Sequence, residues 1–124
     1  MNHYLLPGTI KDEASNPNRG ITATRMLIHA MINRGIRREN IEAKVFGGCN
    51  SLYRDSDFYK VGERNIAIAF DVLKEFNISV MAQHTGGGQG RKLVFNSSTG
   101  KVRMRLLAKS ALEINEKINK GFGY

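Results

Sequence analysis

Only one cysteine, Cys49, occurs in the 124 residues. That rules out an internal disulfide and a structural zinc site built from several thiolates. The longest uninterrupted apolar stretch, IAIAF at 66–70, falls far short of a membrane-spanning helix. No basic flank leading into an apolar segment opens the chain, so no secretory signal is visible. The expected compartment is therefore the cytoplasm, with no membrane insertion. The three histidines, His3, His29 and His84, are too scattered to read as metal ligands by spacing. Internal repeats, low-complexity tracts and linker-like shifts of composition are missing as well.

What is present is enough for one domain. About 41% of the residues are hydrophobic, which supports one core at this length and not two. Lys and Arg outnumber Asp and Glu by 19 to 11, a formal net charge of +8. Such a balance fits nucleic acid, a membrane surface or an acidic protein, and charge alone does not choose among them.

Periodicity places the elements. TIKDEASNPNRG (9–20) is polar and rich in turn formers, a surface loop. Ile21, Ala23, Met26, Leu27, Ala30 and Met31 then recur at helical spacing, with Asn16 and Pro17 as start signals and Gly35 as the stop. IEAKVFGG (41–48) reads as a buried strand entering a glycine turn, and CNSLYRDSDFYKVG (49–62) as a long loop. In GERNIAIAFDVLKEFN (62–77), Ile66, Phe70, Leu73 and Phe76 line one helical face. ISVMAQH (78–84) is a strand and TGGGQGR (85–91) a loop. RKLVFN, the turn SSTG and KVRMRLL form a hairpin with apolar and basic residues alternating. Leu107, Ala111, Ile114 and Ile118 mark a C-terminal amphipathic helix. The order strand–helix–strand–helix–strand–strand–strand–helix implies an α/β (α+β) domain, a mixed sheet layered with helices.

Three features bear on chemistry. The loop TGGGQGRK lacks the spacing of a phosphate-binding P-loop and of a dinucleotide fingerprint, and it lies between strands. Its glycines serve either a backbone that needs positive φ or a substrate contact through exposed amides. Arg91, Lys92, Lys101, Arg103, Arg105 and Lys109 follow one another with no acid between them. They form a solvated face or a patch that steers an acidic partner. Apart from Phe95 no aromatic residue interleaves with them, so nucleic-acid binding is not expected. Cys49, after a strand and two glycines, is either a small buried apolar residue or a nucleophile awaiting a base.

Taken in order, NHYLLPG, KVFGGCN, VGERNIAIAFDVLKE and AQHTGGGQGRKLVFNSSTGKVRMR resemble the CheD family of chemoreceptor glutamine deamidases. The likeness runs from about residue 2 to about residue 107. It implies a CheD-like domain over 1–107, partial at its amino end, and a helical extension over 108–124. The implied fold is similar to the catalytic domains of cytotoxic necrotizing factor toxins.

The implied activity is that of a protein-glutamine glutaminase. It would hydrolyse glutamine side chains on methyl-accepting chemotaxis receptors to glutamate and ammonia, without metal or cofactor. A cysteine nucleophile, a histidine base and a threonine that orients the histidine would carry it, and a CheC-type phosphatase is the further implied partner. The family histidine stands in a block G-x-x-H-x-x-L-P, and His3 of NHYLLP falls on it. Gly47, Gly48, Thr85, Gly86 and Gly87 become substrate-loop candidates, and Arg91, Arg103 and Arg105 docking candidates. The family cysteine belongs to an L-G-S-C-V-like strand upstream of the histidine block, so the resemblance implies an N-terminally truncated fold. Three readings stay open: a working deamidase whose thiol is encoded upstream, an inactive adaptor that binds a phosphatase or receptor, and Cys49 as substitute nucleophile.

Overall fold

The computed structural model describes residues 1–5, 19–50 and 59–108. The chain divides into two compact units, Met1–Gly87 and Gly88–Tyr124.

In the first unit α1 spans Gly20–Asn33, a short 3₁₀ turn Arg38–Asn40, β1 Glu42–Gly47, α2 Tyr59–Glu75 and β2 Ser79–Thr85. β1 and β2 pair in parallel. Parallel neighbours need a long crossover, and α2 supplies it. The register runs from Glu42 opposite Ser79 to Gly47 opposite Thr85, with Met81 as the extra residue of a bulge. Past the bulge, Phe46 faces His84, so the carboxyl ends of both strands reach their glycine loops together.

Both helices end in the same way. Gly35 and Ile36 donate their amides to Ile32 and Met31, and Asn77 and Ile78 donate to Lys74 and Leu73. These are the paired bonds of a Schellman stop, which needs a left-handed residue just past the helix. Gly35 (φ 86°) and Asn77 (φ 55°) supply it. At the second stop the apolar pair that accompanies the motif, Leu73 and Ile78, is itself part of the core.

That core gathers Ile28, Ile41, Val72, Leu73 and Ile78, with Met31, Ile32, Ala43, Val45, Ile68, Phe76 and Val80 packed around it. α2 meets α1 and both strands, so its apolar stripe is broad. Ala69, Val72 and Leu73 are buried, while Ile66, Phe70 and Phe76 are half-buried flanks.

Several expectations need correction. α1 buries the stripe Gly20, Ala23, Thr24 and Ile28; Gly20 and Thr24 meet Tyr4 and Asn2, and Ile28 joins the core. Met26, read as inward, is 56% exposed, because it lies off that stripe. No side chain caps the helix start at Arg19, and Asn16 and Pro17 lie outside the described residues. α2 starts at Tyr59 and not at residue 62. Residues 1–5 form no strand, so the expected opening strand has no counterpart among the described residues.

In the second unit β3 (Arg91–Phe95) and β4 (Val102–Leu106) form an antiparallel hairpin. Asn96 Oδ1 accepts the amides of Ser98 and Thr99 at 2.9 and 3.1 Å. Gly100 closes the turn at φ 72°. Cross-strand partners share a face. Lys92 with Arg105 and Val94 with Arg103 therefore lie on one face, and Arg91 with Leu106, Leu93 with Met104 and Phe95 with Val102 on the other. The class is α+β, with one parallel and one antiparallel pair of strands. The expected C-terminal helix lies outside the described residues.

Candidate functional site

The first five residues alternate in exposure: Asn2 and Tyr4 are half-buried, Met1, His3 and Leu5 exposed. Each inward residue has an anchor. Asn2 Nδ2 donates to Thr24 Oγ1 of α1 at 3.2 Å. The Tyr4 hydroxyl donates to the Asn65 carbonyl of α2 at 2.6 Å. Asn65 Nδ2 answers by donating to the Leu5 carbonyl at 3.0 Å. The Tyr4 ring lies on Gly20, where a Cβ would sit 2.6 Å from Tyr4 Cε2. Burial pushes the Tyr4 phenol up from its ordinary 10.0. His3 projects outward between these anchors.

The two glycine loops meet at the carboxyl ends of β1 and β2. Gly86 donates its amide to the Gly47 carbonyl, and Asn50 to the Gly87 carbonyl, both at 2.9 Å. Four of these glycines hold positive φ: Gly47 (121°), Gly48 (69°), Gly86 (73°) and Gly87 (73°). The joined loops press on the first turns of α2. At Gly62 a Cβ would lie 2.6 Å from Asn50 Oδ1 and 2.8 Å from the Gly48 carbonyl oxygen, and at Gly48 it would run into Ile66.

The substrate-loop candidates Gly47, Gly48, Thr85, Gly86 and Gly87 are thus brought together, with half-buried Cys49 at their joint. His3 reaches the same helix by another route, through Tyr4 and Asn65. One expectation changes. The Gly86 amide is committed to Gly47, so its glycine serves backbone conformation first.

Residues that sequence reasoning passed over hold this arrangement. Gly62 and Asn65 are the first and last letters of the G-E-R-N block that opens α2. A glycine inside a helix costs roughly 1 kcal/mol relative to alanine, so its presence there signals a close approach. Asn50 Oδ1 and Asn65 Oδ1 are buried and accept no hydrogen bond among the described residues.

The remaining histidines stand on α1 and β2, His84 next to the glycine loop, and the three arginines on the hairpin. His29 packs edge-on against Phe76, ring centres 5.3 Å apart. His84 is exposed on β2. Arg103 and Arg105 share the basic hairpin face, while Arg91 lies on the opposite one; this splits the docking trio, because alternate strand residues point to opposite sides. A shallow hollow of about 220 Å³ on α1 is lined by Ile21, Thr22, Arg25, Met26 and His29; none of them was a candidate. Among the described residues no three of His, Cys, Asp and Glu converge to hold a metal. No helix of the described residues is long and apolar enough to cross a membrane.

Residues 5–106 match the family described as CheD chemotactic sensory transduction. The match begins two residues after His3. Three similar proteins carry the name "Probable chemoreceptor glutamine deamidase CheD". That of Rhizobium meliloti is 38% identical over 128 residues, covering 94% of this chain and 66% of its own length. That of Trichlorobacter lovleyi is 40% identical over 102 residues, covering 82% and 63%. That of Rhizobium leguminosarum bv. trifolii is 41% identical over 110 residues, covering 83% and 56%. The chain thus spans between 56% and 66% of the length of these curated relatives.

Proposed function

Because the chain belongs to the CheD family of chemotactic sensory transduction proteins, we propose that it acts in the cytoplasm as a chemoreceptor glutamine deamidase. The carrying observation is the convergence on α2. The first turns of that helix hold both the segment that presents His3 and the paired glycine loops.

The chemistry assigned to these residues is amide hydrolysis in two halves. A thiolate attacks the carboxamide carbon of a receptor glutamine. The C–N bond breaks, ammonia leaves with the proton that His3 took from the thiol, and a thioester remains. Water then gives a proton to His3 and attacks the thioester, releasing glutamate and returning the thiol. Histidine suits both halves because its ordinary pKa lies near neutrality. The thiol is assigned to the strand that precedes the histidine block in the family pattern, with Cys49 as the alternative. The backbone of Thr85 and Gly87 is assigned to the oxyanion, since the Gly86 amide is already spent on Gly47. The basic hairpin face of Lys92, Arg103 and Arg105 takes the acidic surface of the receptor. A CheC-type phosphatase is the second partner.

The test is direct. Incubation of this sequence, carrying the strand that precedes the histidine block, with a receptor cytoplasmic fragment should convert glutamine to glutamate, read as ammonia release and as the peptide mass gain of amide-to-acid conversion. His3→Ala should abolish it, and Cys49→Ser should leave it intact if the thiol lies on the upstream strand. A chain that binds the fragment or the phosphatase without conversion is an adaptor.

A further inference from the structure

The backbone of His3 belongs to no helix or strand. An imidazole on an untethered segment would sample many orientations, and a misplacement of 1 Å costs about 10²-fold in rate. The segment here is tethered. Asn65 both receives and gives: its carbonyl accepts the Tyr4 hydroxyl, and its side-chain amide donates to the Leu5 carbonyl. Two successive residues after His3 are thereby tied to one helical position, while Asn2 ties the preceding side to Thr24. Glycine at position 20 admits the Tyr4 ring against α1.

The Asn65 side chain also reveals what it is used for. Its Oδ1 is buried without an acceptor's partner among the described residues, an arrangement that disfavours an amide unless its donor is needed. The donor goes to the Leu5 carbonyl, two residues past His3.

We propose that Asn65 is the positioning residue for His3, acting through its paired hydrogen bonds to Tyr4 and Leu5. The inference rests on the deamidase reading for what His3 does, but the clamp itself has a readout free of activity. Asn65→Asp keeps size and removes the donor, placing a carboxylate against the Leu5 carbonyl. Tyr4→Phe removes only the other bond and spares the fold.

NMR relaxation on the full 124-residue chain tests the clamp. In the wild type, residues 2–5 and the His3 ring should show order parameters near 0.85, as for rigid backbone, dropping below about 0.6 in Asn65→Asp and partway in Tyr4→Phe. The His29 and His84 signals and the amide protection of α2 should stay as in the wild type. In a version extended by the strand that precedes the histidine block, kcat on a receptor fragment should fall roughly tenfold or more with KM held, because misorientation spares binding. Undiminished order of His3 in Asn65→Asp with α2 intact overturns the proposal, and so does a wild type whose residues 2–5 already show order parameters below about 0.6. An extended wild type without deamidation removes the functional reading alone, since the relaxation data still decide the clamp.

Discussion

Tyr4 sits half-buried with its hydroxyl on a helix carbonyl and its ring on a glycine. Removing the hydroxyl in Tyr4→Phe should cost about 1 kcal/mol, the usual net value of such a bond. The pH dependence has a definite sign. Burial raises the phenol above its ordinary 10.0, so between that value and the raised one the unfolded chain has lost a proton that the folded chain keeps. Stability contributed by Tyr4 is full below pH 10 and declines as pH climbs through the folded value. Urea titrations of wild type and Tyr4→Phe should therefore converge in stability at alkaline pH, and curves that stay parallel would contradict the burial. The Arg25–Glu75 pair, 2.9 Å apart between half-exposed side chains, is a lesser matter. Glu75→Gln should cost under about 1 kcal/mol, a loss that vanishes in high salt.

Among the elements, the glycine loops separate two uses of the same residue. Gly86 and Gly87 need positive φ but have open space where a Cβ would go, whereas Gly48 combines positive φ with contact to Ile66 and the Gly62 carbonyl. Gly87→Ala should cost about 1–2 kcal/mol from backbone strain alone. Gly48→Ala should add a packing penalty of about 1–3 kcal/mol, and thermal melts rank the two. The hairpin gives a test in which stability and binding part company. Lys92 lies directly opposite Arg105, and like charges so placed destabilise a strand pair. Arg105→Glu should stabilise the hairpin by about 0.2–1 kcal/mol while weakening receptor-fragment binding in a salt-dependent way. Unchanged binding would reduce the basic face to solvated surface.

At the scale of the molecule, the core of the first unit is modest. Its best-covered side chains, Ile28 and Val72, are each 3% exposed. Ile28→Ala, which empties the seam between α1 and α2, should lose about 2–3 kcal/mol by denaturant unfolding, within the usual range for such truncations. The same seam positions the functional junction, because α2 carries core residues along most of its length and Gly62, Asn65 and Ile66 at its start. Family membership covers most of the chain, and the elements it needs were legible one by one. The α2 periodicity, the hairpin with its SSTG turn, the strand at 42–47 and the Gly35 stop could all be read locally. The phase of α1 could not, since Met26 and Ala23 are equally apolar and only a neighbour decides which turns inward.

Local pattern by itself determined which segments coil, extend or turn, because apolar spacing and glycine placement act within a few residues. The family blocks were legible as well, and it was the resemblance they carry, not spacing, that implied His3 as the candidate base. Only the tertiary structure decided that Tyr4 and Leu5 are fastened to Asn65, that Gly48 lies against Gly62, and that one loop amide is consumed by the other loop. The first contacts join residues some sixty positions apart, and the loop pairing follows from how the βαβ crossover sets its strand ends side by side, neither of which a short stretch of sequence encodes.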